Sequence, residues 1–461
     1  MNLKYTIQAG LVMMIMLMVT YSCKQTPVAP RARIYTDLYQ PASVNVRFPA
    51  GTQLPSVQMS IDHLKGLIYN KEYLPYGSTL DSAYLQMMLS SECDAVITNE
   101  TTGERKQWSV SDTSKVNVKG GKLTLTVSRR GSKTPALNYK IRLQIYGYNP
   151  NKLTWKLSAN EAPIPTTSAA FVQVDKSTYW MARNVDEVSI YQVVDLGNSA
   201  FKLLATGLPK LRPETIMSDH NGGLWAISDD DHLYRADKSL QNWSPINTDK
   251  IRISTLVYDQ ALTPGTPAEW RAIGYSPESP KDYSSYTIIG DQVEGGSSLS
   301  EDFPVRYGYV FDYTVAGINN ANIIGGVDKL GKGVKEVFFT SDGLNWGKIP
   351  YRGKGFETPL EGGLFLRKGD TIYMIGGRYE DGVKSQMYVS QNRGVNWVEL
   401  TKEQEPGKDF APREGASGLI LDQNGNESIY IVGGKVNGKA STEIWRGYLD
   451  KTGGIINSIE D

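Results

Sequence analysis

The chain has 461 residues, more than one ordinary core holds, so two domains are expected. Lys plus Arg equals Asp plus Glu at 49 each, so no basic stripe asks for nucleic acid and no acidic tail asks for a cationic partner. With 27 Tyr and 45 Gly, and His scarce at three, the composition favours β structure.

The first segment, MNLKYTIQAGLVMMIMLMVTYSC, carries Lys4 and then an apolar run from Gly10 to Val19. That run is too short for a permanent membrane span. Ending in Thr20-Tyr21-Ser22-Cys23, it resembles a bacterial lipoprotein signal of residues 1–23, with Cys23 as the lipidation site. Thr20 and Tyr21 depart from the commonest form of that box, and a plain secretory signal is the alternative. The polar, Pro-containing residues 24–35 read as a tether. With Cys23 lipidated, Cys93 has no partner for an internal disulfide and reads as a small hydrophobe beside DAVIT.

Residues 36–149 read as short strands. GKLTLTV places Leu123, Leu125 and Val127 on one face, and NYKIRLQIYG does the same for Tyr139, Ile141, Leu143 and Ile145. LPYGSTLDSAYLQMML, residues 74–89, has more helical spacing, and one short helix is expected there. The size and strand pattern predict an Ig-like β-sandwich without the Cys–Trp–Cys framework. The stretch GLIYNKEYLPYGSTLDSAYLQ carries I-x-N-x-x-x-L-P-Y-G, and Tyr139–Ile145 supplies a Tyr-containing closing strand. These features resemble a family of gut-bacterial envelope lipoproteins known as a domain of unknown function. The resemblance implies a sandwich-like module followed by a kelch-like propeller, and brings no catalytic residues.

From residue 150 to 461 a second pattern recurs. TYWMA, LWAIS, WRAIG, NIIGG, IYMIGG and IYIVGG follow one another roughly every 45–57 residues, the spacing of propeller blades. The pieces LQNWSPI, GLNWGKI and GVNWVEL each close a repeat, whereas KLTWKL at 152–157 precedes them all. The last repeat, with IYIVGG and STEIWRGYL, lacks a closing piece. The sequence therefore predicts an all-β protein whose six-bladed kelch-like β-propeller is closed by an N-terminal strand; the alternative makes KLTWKL the last strand of the first domain. SQNRGVNW and TSDGLNW resemble the Asp-box hairpin of sialidase-like propellers, a folding element rather than a catalytic one.

Loops entering first strands and leaving second strands line one mouth of a propeller. Candidate ligand-binding residues there are Arg183, Arg306, Arg378, Arg413 and Lys435, with Tyr307, Tyr379 and Trp180 as stacking surfaces. A cationic mouth suits an anionic sugar or carboxylate; alternatively each Arg braces a neighbouring blade. His220 and His232 sit in turn-like SDHNGG and SDDDH, and no metal site, catalytic residue or cofactor is assigned. The expected function is a non-catalytic, lipid-anchored outer-membrane protein, facing the periplasm or the cell surface, that binds a glycan or an envelope protein and no nucleic acid. The alternative is a glycan-active enzyme, a sialidase-like hydrolase or lyase, on the same ring.

Overall fold

The computed structural model describes residues 39–52, 54–109, 114–133, 135–248, 250–261, 265–351, 356–423 and 426–459. The leader, the tether and Cys23 lie outside the described residues. The described residues form two compact units, one of residues up to 150 together with 451–459 and the other within residues 151–450.

In the first unit nine strands form one hydrogen-bonded series. Its order is Arg105–Trp108, Cys93–Asn99, Lys122–Arg129, Leu137–Arg142, Leu67–Tyr69, Val57–Asp62, Ser43–Arg47, Ser82–Met88 and Val116–Asn117. Neighbours are antiparallel except Leu67–Tyr69, which runs parallel to Leu137–Arg142. Leu123, Leu125, Val127 and Ile141 are fully buried in a single core, as their period-2 spacing demands. The antiparallel strands and single core fit the expected all-β module.

The helix expected within 74–89 is a strand, Ser82–Met88. Ala83, Leu85 and Met87 are buried while Gln86 and Met88 are exposed, so the true period is 2. The apolar residues that mimic helical spacing belong partly to the preceding Pro75–Ser78 turn, where Ser78 Oγ donates to the Pro75 carbonyl at 2.5 Å. Asn70, the Asn of the I-x-N motif, is fully buried. Its Nδ2 donates to the Gln144 carbonyl at 2.8 Å, and its Oδ1 accepts from the Gln144 amide at 2.7 Å. Gln144 Nε2 returns a bond to the Asn70 carbonyl at 2.7 Å. Buried polar groups must find partners, and this reciprocal bracket supplies them.

Residues 451–459, expected with the propeller, join the first unit instead. Ile455–Ile456 pairs antiparallel with Ile145–Tyr146, and Asn457 Nδ2 donates to the Gly120 and Leu143 carbonyls, each at 3.0 Å. The pairing gives Ile145–Tyr146 its only hydrogen-bonded strand partner among the described strands.

The second unit contains six four-stranded antiparallel sheets. In chain order their second strands are Ser177–Asn184, Leu224–Ile227, Glu269–Ser276, Ile318–Ile324, Thr371–Ile375 and Asn426–Val432, which carry the six recurring motifs. Six hydrophobic clusters lie between sequential sheets. Met181 meets Leu224, Trp225 meets Trp270, Ile273 meets Ile323, Ile324 meets Met374, and Ile375 meets Ile431. The sixth cluster joins Val432 to Trp180 and so closes the circle. KLTWKL completes the sixth sheet: Leu153–Leu157 pairs antiparallel with Ile444–Leu449, with Trp155 opposite Gly447. Pairing this first strand of the unit with the last sheet ties the two ends of the ring together by ladder hydrogen bonds, while the sheets meet one another through the apolar clusters. Gly447 is required there, because a Cβ would lie 2.7 Å from the Trp155 ring.

Candidate functional site

The loops that leave the second strands run against the loops that enter the first strands. At Gly326 (φ +77°) a Cβ would lie 2.3 Å from the Arg306 carbonyl, and at Gly376 (φ +61°) 2.7 Å from that of Arg413. Only glycine permits both the left-handed backbone and the close approach. Polar side chains carried by these loops meet those of other sheets.

The centre of one group is Asp231, in the turn between the second and third strands of the second sheet. Its carboxylate is 1 % exposed and its φ is +62°. Arg212, which enters the same sheet, donates from Nη2 to Asp231 Oδ1 at 3.1 Å and to the Ser254 carbonyl at 3.0 Å. The Tyr275 hydroxyl of the third sheet donates to Oδ2 at 2.8 Å. Arg306, which enters the fourth sheet, donates from Nη2 to the same oxygen. Burial, and then the Asp231 carboxylate, push the Tyr275 phenol up to about 12. Burial opposes the charge on Arg306, but Asp231 and Tyr283 outweigh it and raise the pKa.

Tyr307 follows at φ +60° and is 38 % exposed. Burial raises its phenol, and the Glu361 and Glu214 charges raise it further against the opposing Arg212 and Arg306. On the neighbouring sheets, Arg378 Nη2 donates to Glu414 Oε1 at 2.6 Å, and its Nε lies 3.0 Å from Glu361. Lys435 Nζ lies 3.4 Å from Glu414 Oε1. Glu414 Oε2 is buried without a hydrogen bond among the described residues. Arg183 grips Asp229 of the next sheet with two bonds of 2.7 Å, and its Nε donates to the Val185 carbonyl at 3.1 Å. The mouth is thus not simply cationic. Arg183, Arg212, Arg306, Arg378 and Lys435 are matched against Asp229, Asp231, Glu361 and Glu414.

Three expected residues are elsewhere. Arg413 is 1 % exposed, with Nη2 on Glu443 at 2.7 Å, Nη1 on the Gly433 carbonyl at 3.3 Å and its guanidinium 4.2 Å from the Phe410 ring centroid. Arg413–Glu414 is a two-residue strand, so adjacent side chains point to opposite faces, and it is Glu414 that joins Arg378 and Lys435. Trp180 is fully buried between the sixth and first sheets and donates to Ser417 Oγ at 2.8 Å, so it offers no stacking surface. Tyr379 is also buried. Sequence reasoning missed Asp231, Arg212, Glu361 and Glu414; the doublet Arg413-Glu414, read for its alternation, was the available signal.

The histidines are held in local pairs. His220 Nδ1 lies 2.5 Å from Asp259 Oδ2, His232 Nδ1 lies 2.8 Å from Asp230, and His63 Nδ1 lies 3.1 Å from the Tyr139 hydroxyl. Among the described residues no cluster of three or more His, Cys, Asp or Glu side chains offers a metal site. Cys93 is half-buried at the edge of the first unit's core, and burial, followed by Glu92, raises its thiol.

Residues 149–458 match the DUF6242 beta propeller domain, and residues 39–143 match the N-terminal domain of DUF6242, a domain of unknown function. No curated protein matches the chain. Among solved structures, YjhT is similar at 13 % identity and a TM-score of 0.38, over 62 % of this chain and 95 % of that one. A DUF4623 family protein from Bacteroides eggerthii DSM 20697 is similar at 11 % identity and a TM-score of 0.36, over 89 % of this chain and 98 % of that one.

Proposed function

We propose that this chain, which belongs to the DUF6242 family, is a non-catalytic binding protein whose propeller mouth holds a glycan. One observation carries the reading: the acid and base groups at the mouth are paired with each other across sheets, while Tyr307 stands half-exposed among them. Paired charges hold a rigid polar surface of hydrogen-bonding groups, and an exposed aromatic face stacks on sugar rings. The alternative, a sialidase-like hydrolase or lyase, needs an activated tyrosine or a carboxylate ready to exchange a proton. Tyr307 is pushed towards its neutral form, which favours a hydrogen-bond donor over a nucleophile. The most deeply buried carboxylates at the mouth, Asp231 and Glu414, are engaged by arginine.

The leader ending at Cys23 supports attachment to the outer membrane through a lipid, facing the periplasm or the cell surface. A glycan array probed with wild type and Tyr307→Ala tests the binding role. Binding that Tyr307→Ala abolishes, with unchanged circular dichroism, is the expected result. Release of new reducing ends from any bound polysaccharide would favour the enzyme instead, and an empty array would direct the search to an envelope protein partner.

A further inference from the structure

A cavity of about 140 Å³ opens at the mouth end between the third and fourth sheets. Its walls include Lys281, Tyr283, Ser298, Ser300 and Lys329, over an apolar floor of Leu299 and Val305. Engineered cavities of about 150 Å³ take up one benzene ring, so this volume suits a single six-membered ring. The polar walls exclude benzene-like ligands and select a hydroxylated ring.

Charge narrows the choice. The charged lining residues are Lys281, Lys329 and Asp282, a balance of one positive charge before the neighbouring Glu301 is counted. Lys281 is exposed. Lys329 Nζ lies 3.1 Å from Glu301, but that carboxylate is 89 % exposed, and such surface pairs exchange readily. The cavity also adjoins the mouth. Tyr283 packs against Tyr275 at 5.1 Å between centroids, and Val305 precedes Arg306, which shares Asp231 with Arg212. Two guanidinium groups on one carboxylate leave a second positive charge beside the cavity.

We infer that this cavity is a subsite for one acidic sugar residue, a hexuronate, of a glycan that continues across the mouth past Tyr307. The ring carboxylate lies towards Lys281 and Lys329, and the ring hydroxyls meet Ser298, Ser300 and Asp282. The inference rests on the glycan reading above and adds the charge of the ligand.

Titration calorimetry of the whole chain with trigalacturonate and with its fully methyl-esterified form tests it. The acid form binds, and the ester binds about tenfold more weakly, the scale of losing two partly exposed charge contacts. Lys281→Ala/Lys329→Ala removes that preference, whereas Tyr307→Ala weakens both forms. Equal affinity for acid and ester, or a preference that survives the double variant, overturns the acidic subsite. If Tyr307→Ala still weakens binding in that case, the glycan reading stands without it. Failure of both forms to bind overturns the subsite, and an empty glycan array then separately overturns the glycan reading.

Discussion

Replacing Asp231 with Asn removes one charge and little else. Asn adopts positive φ readily, so the turn at +62° is kept, and its carbonyl oxygen still accepts from Tyr275. What changes is Arg212. Its guanidinium is buried, and without Asp231 it keeps, among the described residues, only the Ser254 carbonyl as acceptor. Removing one partner of a buried pair costs about 3–5 kcal/mol, because the remaining charge stays out of water. Arg306 is partly exposed and regains hydration, so its share is small. We therefore expect Asp231→Asn to lose about 3 kcal/mol. Urea unfolding followed by Trp fluorescence measures this in the propeller, since all Trp except Trp108 lie within residues 151–450. Asp229→Asn is the control: it breaks the more exposed pair with Arg183 and should cost less than about 1 kcal/mol. If the two variants lose the same stability, Asp231 is not what compensates Arg212, and the account of the mouth fails.

Arg413→Ala should cost about 2 kcal/mol, mainly through the buried space and the packing on Phe410 that it vacates, since Glu443 is partly exposed and keeps the Trp445 indole as donor, yet leave glycan affinity unchanged in the folded fraction. Trp155→Ala and Gly447→Ala should each destabilise the propeller by about 2 kcal/mol, one by truncation and one by overpacking. The double variant should lose clearly less than the sum, because the methyl at 447 then occupies vacated space; additive losses in a denaturation cycle would contradict that contact. The Asp342 carboxyl is held down to about 2: burial opposes this, but the Asn345 and Leu344 amides and the Asn345 side chain prevail. A depressed carboxylate stabilises the fold above its unfolded value near 3.8 and loses that contribution as pH falls towards 2. The midpoint gap between wild type and Asp342→Asn should therefore be widest at neutral pH and close by pH 2.

Periodicity made much of the fold legible. Leu123, Leu125 and Val127 alternate, and the three are fully buried on one strand. The displaced KLTWKL announced its pairing with Ile444–Leu449 because the last repeat was one strand short. The helix expected over 74–89 failed because a turn and a strand together imitate a longer period. Ile455–Ile456 is too short to show any pattern, so its return to the first unit was invisible. The site was harder to read for another reason. SDDDH looks like a solvated turn, and Asp231 is buried only because Arg212 and Arg306, 19 and 75 residues away, converge on it. Long-range charge compensation leaves no local signature, whereas the exposure of Tyr307 and the burial of Trp180 depend on the ends and the middle of the same kinds of strand.

The return of Ile455–Asn457 to the first unit sets the order in which the protein can be finished during synthesis. All of residues 151–450 must leave the ribosome before the strand partner of Ile145–Tyr146 exists. Domains usually complete themselves from the N-terminus as they emerge. Here the unit that begins first is completed last, and until then Gly120 and Leu143 present carbonyls that await the Asn457 side chain. A nascent chain stalled within the propeller therefore carries an unfinished sheet edge near its beginning, and edges of that kind recruit other strands.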